Sequence, residues 1–143
     1  VTDGAGARTT VVVAADDATV GEVLARILEA AGHEAIRLPE AAGLASATAS
    51  ASADGVVLDL GPSTADQLRS LRLDGGDRVA SVRAVVICTG PANALLAWQA
   101  GADAVLTRPL AADALREAVR EVLDAPEGER QARRDQQIAE LSA

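Results

Sequence analysis

Lysine, tyrosine, phenylalanine and methionine are all missing from these 143 residues, and every one of the 13 basic residues is arginine. Aromatic residues make up 1% of the chain, so the core must be built from Val, Leu, Ile and Ala. A single cysteine, Cys88, excludes an internal disulfide; its place in the apolar run 85–88 reads as a small buried hydrophobe rather than a reactive thiol. The one histidine, His33, follows Gly32 without partners at metal-ligand spacing, so it reads as a solvated spacer and not as a zinc ligand. Long apolar runs are also absent, and none approaches the ~20 residues needed to span a bilayer. The opening Val-Thr-Asp-Gly-Ala-Gly-Ala has no apolar leader stretch, which makes the cytoplasm the expected location. Positive charge is scarce: 13 basic residues against 21 acidic ones leave a net charge of -8, which argues against nucleic acid or a membrane surface as a partner. The length suits one hydrophobic core and excludes a multidomain enzyme.

The chain alternates between two periodicities. Residues 8–15 hold the β-branched run Thr9, Thr10, Val11, Val12, Val13, as expected of a strand buried on both faces of a parallel sheet. After Asp16 and Asp17, Val20, Val23, Leu24, Ile27, Leu28 and Ala31 fall at helical spacing, and Gly32 supplies a stop. Residues 34–38 predict a second strand, and Pro39 is expected to open a weak helix to about Thr48. A third strand, 54–59, ends on Asp59. The turn at Gly61, Pro62 and Ser63 leads to a helix containing Leu68 and Leu71, ended by Asp74-Gly75-Gly76-Asp77. Strand four is expected at 84–88, followed by a short helix with Leu95, Leu96 and Trp98; Trp98 reads as a core or half-buried anchor. Strand five is expected at 104–106, and the last well-patterned helix at 111–123.

Five strands alternating with five helices predict an α/β fold, a doubly wound five-stranded parallel sheet of flavodoxin-like type with helices on both faces. Ligand sites in such sheets lie at the carboxyl ends of the strands, where Asp16, Asp59, Thr89 and Arg108 all fall. Residues 125–143 read as a polar helical extension or linker, in which Ile138 and Leu141 are the only large aliphatic residues. There the arginines 130, 133 and 134 are expected on a solvated helix face, and the segment is expected to continue the preceding helix or to pair with a second copy.

Residues 8–124 resemble the receiver domain of bacterial two-component response regulators. The resemblance rests on Asp16 at the end of strand one, Val-Val-Leu-Asp-Leu with Asp59, Val-Ile-Cys-Thr-Gly with Thr89, and Gly-Ala-Asp-Ala-Val-Leu-Thr-Arg-Pro-Leu ending at Leu110. Four such segments in order on a βα pattern are a specific signal. The resemblance implies a phosphoacceptor at Asp59, charged by a sensor histidine kinase or phosphotransfer protein. It also implies a divalent cation, Mg²⁺, on Asp16, Asp59 and the carbonyl of Gly61, with Thr89 and Arg108 at the phosphoryl group. The chemistry needs that cation, because an anionic carboxylate must approach an anionic phosphoryl group.

Several positions depart from the family pattern. The usual acid pair falls on Ala15 and Asp16, so one acid is missing. Asp17 is a weaker metal candidate, since neighbouring strand residues face opposite ways. The usual lysine is Arg108, which keeps the charge but not the geometry. The aromatic switch position is Val105, and the segment from Thr89 to Gly101 is about three residues short of the family's usual length. With fewer acids, weak Mg²⁺ binding is expected. Arg108 is expected to reach Asp59 or Asp16. The expected function is a stand-alone receiver in a phosphorelay, signalling to a downstream protein partner, with homodimerisation a further candidate contact. The alternative is a phosphorylation-independent pseudo-receiver acting as an interaction or dimerisation module. No catalysis beyond accepting a phosphoryl group is expected, because a hydrolase would need a second nucleophile or general base beside Asp59.

Overall fold

The structure, a computed structural model, describes residues 8–38 and 43–143. The apolar runs form five strands, β1 (Thr10–Ala15), β2 (Glu34–Leu38), β3 (Gly55–Asp59), β4 (Arg83–Cys88) and β5 (Ala104–Thr107). They make one parallel sheet in the order β2-β1-β3-β4-β5. The helices are α1 (Ala18–Ala30), α2 (Leu44–Ser50), α3 (Thr64–Asp74), α4 (Gly76–Ala80), α5 (Pro91–Ala100), α6 (Ala112–Asp124) and α7 (Glu127–Ser142). The doubly wound α/β expectation therefore holds. Pro39, expected to open the second helix, lies outside the described residues. Among the described residues no helix is long and apolar enough to cross a membrane.

Side chains along each strand alternate between two cores. On one face Val12, Ala14, Val56, Leu58 and Val86 pack with Leu68 and Leu71 of α3 and with Ala97 and Trp98 of α5. On the other, Val11, Val13, Val57, Val85 and Ile87 meet Leu24 and Leu28 of α1 and Leu115, Val119 and Val122 of α6. Burial on both faces explains why the sequence shows continuous apolar runs here rather than a strict alternation. Trp98 is buried at 6% exposure, a core anchor of α5.

Three expectations need correction. Beyond the five helices and the C-terminal helical extension expected from the sequence, the described residues hold one further helix, α4, a five-residue turn after Gly75; α7 is the expected C-terminal helix. His33 is not a free spacer, because it is half-buried and hydrogen-bonded through Nδ1 to the Thr9 hydroxyl, and burial lowers its pKa. The third correction concerns the tail. It neither continues α6 nor waits for a second copy; the extended pair Ala125 and Pro126 turns it back so that α7 packs on α5. Arg83 holds that corner, donating through Nε to the Val122 carbonyl (2.8 Å) and through Nη2 to that of Ala125 (3.4 Å).

Nor are the arginines of the tail a solvated face. Asp103, at the entrance to β5, has a fully buried carboxylate. Its Oδ2 accepts from the Ala84 N–H (2.8 Å), Arg72 Nη2 (3.1 Å) and Arg130 Nη1 (3.0 Å), and its Oδ1 from Arg134 Nη2 (2.8 Å). Arg130 is buried with it, and Arg134 also donates to the Ala102 carbonyl (3.2 Å); Arg133 instead lies near Glu129 (3.9 Å). Arg72 divides its other donors among the carbonyls of Gly101, Ala80 and Val82. Burial lowers the pKa of Arg72, opposed by Asp103 and helped by Arg134 and Arg130. Gly101 is required where it is: its φ is +109°, and a Cβ there would lie 3.0 Å from Arg72 Nε.

Removing one partner from a buried ionic cluster strands the others without compensation, at a cost of about 3–5 kcal/mol. Asp103→Ala is therefore expected to destabilise the fold by about that amount in urea denaturation. A change under about 1 kcal/mol would show the cluster to be structurally idle.

Candidate functional site

Because all five strands run the same way, their carboxyl ends share one edge of the sheet. The chain passes from β1 outward to β2, then returns to β3 on the other side of β1, and this reversal opens a crevice between the ends of β1 and β3. Asp59 is the last residue of β3, in register with Ala15. Strand alternation puts its side chain on the side of Val57, toward α1 and α6. The carboxylate is 5% exposed. The Asp16 N–H donates to the Asp59 carbonyl at 3.2 Å, tying the two strand ends together.

The backbone after Asp59 is fixed by its neighbours. Leu60 is fully buried; its N–H donates to the Thr64 hydroxyl (2.9 Å), and its carbonyl accepts from the Ser63 hydroxyl (3.0 Å). Thr64 is itself buried and was not singled out by sequence reasoning. A hydroxyl residue closing a turn after a strand-end acid was the available signal. Between these anchors Gly61 adopts φ +60°, and a Cβ there would lie 3.6 Å from Asp16 Oδ2. The exposed Asp16 carboxylate thus sits directly over the Gly61 backbone.

The other sequence-derived candidates divide clearly. Arg108, just beyond β5, donates from Nη2 to Asp59 Oδ2, as expected. Its backbone N–H holds the Cys88 carbonyl (3.1 Å), its side chain is 43% exposed, and the Arg108–Pro109 bond is cis. Asp17 is occupied elsewhere: its Oδ1 accepts from the N–H groups of Thr19 (2.8 Å) and Val20 (3.3 Å), making Asp17, not Asp16, the N-cap of α1. Thr89 is exposed at the end of β4; α5 receives no side-chain cap, and the Thr89 carbonyl accepts from Asn93 Nδ2 (2.8 Å). Val105 is half-buried in register with Val86, so no ring occupies that position.

Ala15, in place of the missing acid, is buried and would be 3.5 Å from a Cβ on Gly21. Beside it is a cavity of about 160 Å³, lined by Ala15, Ala18, Gly21 and Arg37, among others. A second, of about 230 Å³, runs from Asp59 and Arg108 along the apolar face of α1 past Val20, Val23 and Ile27. Val23 is half-exposed there. Among the described residues no group of three or more His, Cys, Asp or Glu is placed to hold a metal ion. Asp16 and Asp59 stand at the carboxyl ends of the adjacent strands β1 and β3, with the Asp16 carboxylate beside Gly61.

Comparison with solved structures places this architecture. A protein of Chloroflexus aurantiacus J-10-fl provisionally assigned as a response regulator superposes with a TM-score of 0.74 at 18% identity, covering 82% of this chain and 99% of that one. The chemotaxis protein CheY4 of Vibrio cholerae gives 0.70 at 16% identity, over 81% and 99%. The BeF3-activated N-terminal receiver domain of RstA from Klebsiella pneumoniae gives 0.69 at 19% identity, over 82% and 100%. No protein-family model and no curated protein matches the sequence. The fold is that of response-regulator receiver domains.

Two measurements check the local assignments. Asp17→Ala is expected to cost about 1 kcal/mol of stability in urea denaturation as a lost N-cap; a change within about 0.2 kcal/mol would contradict the capping role. Burial pushes the Cys88 thiol above its usual range, with nearby Arg108 opposing and nearby Asp59 adding to the shift. Because the thiolate is the reactive form, alkylation of Cys88 is expected to be slow at neutral pH and to rise only above the ordinary thiol range. Fast modification at pH 7 would contradict this.

Proposed function

We propose that this chain is a receiver in a phosphorelay, with Asp59 as phosphoacceptor and Arg108 as the resident counter-charge that restrains it. The observation that carries the reading is the buried carboxylate at the end of β3, held by Arg108 and flanked by Asp16 and the Gly61 backbone. A carboxylate oxygen of Asp59 attacks phosphorus of a phosphohistidine, the phosphorus–nitrogen bond breaks, and the imidazole leaves with a proton. The product is an acyl phosphate on Asp59. The carrier of the phosphohistidine is a sensor kinase or phosphotransfer protein, and the apolar groove beside α1, opening on Asp59, suits docking of such a protein. Output passes to a downstream protein, and the chain needs no catalytic activity beyond accepting the phosphoryl group.

The donor set is all oxygen, which suits a hard cation such as Mg²⁺. Asp16, Asp59 and the Gly61 carbonyl would hold it, and when bound it supplies the charge neutralisation that lets two anions meet. The protein's own groups do the rest. Thr89, exposed just after β4, would donate its hydroxyl to a phosphoryl oxygen. Arg108 offers a planar fork to carboxylate or phosphate alike. While it stays on Asp59 it competes for the oxygen that attacks.

That same contact favours a second reading. In a pseudo-receiver, Arg108 neutralises Asp59 permanently and the chain works as an interaction or dimerisation module. Ala15 and Val105 are consistent with it; the intact Asp16 and Asp59 favour the first reading. Incubation with acetyl phosphate and Mg²⁺, followed by intact mass, separates them. The phosphoacceptor reading predicts one added phosphoryl group on the wild type and none on Asp59→Asn. No gain on either supports the pseudo-receiver.

With one acid replaced by Ala15, Mg²⁺ is expected to half-saturate only above roughly 1 mM, read from the amide shifts of Asp16, Asp59 and Gly61. The cavity beside Ala15 gives Ala15→Asp room for its carboxylate, and this variant is expected to bind more tightly. Tight binding by the wild type would contradict the account.

A further inference from the structure

Thr64 opens α3 on the face that the helix buries. Thr64, Leu68 and Leu71 recur at i, i+4 and i+7 and all three are buried, the leucines in the core that contains Trp98. Packing alone would accept Val or Ala at the first of these positions. A buried hydroxyl instead needs a polar partner, and Thr64 finds one in the Leu60 N–H (2.9 Å). Leu60 lies just beyond β3, in neither strand nor helix, with its side chain fully buried. Removing the hydroxyl would therefore leave a buried N–H without its acceptor.

Thr64 acts a second time through its backbone, where its N–H donates to the Gly61 carbonyl. The two hydrogen bonds enclose Gly61, one on the amide of the residue before it and one on its own carbonyl. Gly61 needs such a clamp, because a glycine at φ +60° is otherwise free among several conformations. A carbonyl oxygen has two lone pairs, so the Thr64 N–H orients that of Gly61 and leaves capacity for a second donor or a cation. The Asp16 carboxylate stands beside Gly61, 3.6 Å from the place of a Cβ, and the Asp16 N–H is tied to the Asp59 carbonyl (3.2 Å). The setting of one peptide thus decides whether these oxygens can serve the same ion. Groups that orient a metal's ligands carry much of its affinity, and losing one commonly costs about 10–100-fold.

We propose that Thr64 is a positioning residue for the cation of the Asp59 site. Its hydroxyl, moored by the buried face of α3, fixes the peptide between Leu60 and Gly61 before any cation arrives, so that the Gly61 carbonyl is preset as a ligand. This role rests on the reading of Asp16, Asp59 and Gly61 as the cation's oxygen donors. Thr64 touches neither the cation nor the phosphoryl group; it acts through the backbone of Gly61.

The test uses the full chain and Mn²⁺ alone, an oxygen-seeking cation that broadens nearby amide signals even at low occupancy, with no phosphodonor. Thr64→Val keeps the shape of the side chain and the backbone bond to Gly61 but removes the hydroxyl. It is expected to weaken Mn²⁺ binding about tenfold, read from the amides of Asp16, Asp59 and Gly61, and to speed amide exchange of Leu60. Thr64→Ser, which retains the hydroxyl, is expected to bind as the wild type does. A structural role alone would lower stability and leave Mn²⁺ binding unchanged, so a folded Thr64→Val with wild-type broadening would overturn the proposal. So would a Leu60 amide that exchanges at the rate of an unprotected one in the metal-free wild type, a readout that stands even if the variant fails to fold. Broadening in neither the wild type nor Thr64→Ser would overturn the cation reading of the crevice itself, and the role of Thr64 with it.

Discussion

The parallel direction of all five strands is the constraint on which the rest depends. A parallel sheet needs a crossover after every strand, so both faces are covered and every carboxyl-terminal end lies on one edge. The order β2-β1-β3-β4-β5 then puts the reversal of winding between β1 and β3. Asp16, Asp59, Thr89 and Arg108 come from separate segments, yet this geometry brings all of them to one rim. The crevice gathers two carboxylates, and Arg108 is the cation that reaches the buried one. What the site can do is decided by the competition between that guanidinium and any other cation for the same oxygens.

A second buried carboxylate, Asp103, organises the opposite half of the molecule. It receives the first N–H of the β4 interior from Ala84, joins α3 through Arg72 and gathers α7 through Arg130 and Arg134. The two carboxylates stand near opposite ends of β5, one beside its entrance and the other beside its exit. Asp103 is fully satisfied within the fold, whereas Asp59 has a half-exposed arginine and an open groove beside it. The first arrangement fixes elements; the second leaves room for exchange of partners.

The sheet was legible because β-branched runs such as Val11, Val12 and Val13 admit little else, and because glycines and prolines mark the ends of most elements. The pairing of Arg108 with Asp59 was legible too, because each is fixed to a strand terminus and the termini converge. Asp103 was not. A buried carboxylate looks like an exposed one in a sequence, and its three arginine partners lie roughly thirty residues away on either side. For the same reason Arg130 and Arg134 read as solvated: the helix face they share with Ile138 and Leu141 is polar by composition and becomes interior only because Asp103 is waiting for it. The role of Asp17 was a matter of one residue in register, since capping passes to whichever acid precedes the first free N–H groups.

Phosphorylation of Arg108→Lys against the wild type, followed by intact mass over time with acetyl phosphate and Mg²⁺, tests the central claim most directly. An ammonium on a flexible stem cannot hold Asp59 with the same planar fork, and a charge-assisted hydrogen bond is worth about 1.5–3 kcal/mol, so the variant is expected to react about tenfold faster and to bind Mg²⁺ more tightly. A variant that reacts no faster than the wild type, with unchanged Mg²⁺ affinity, would contradict the claim that Arg108 restrains Asp59.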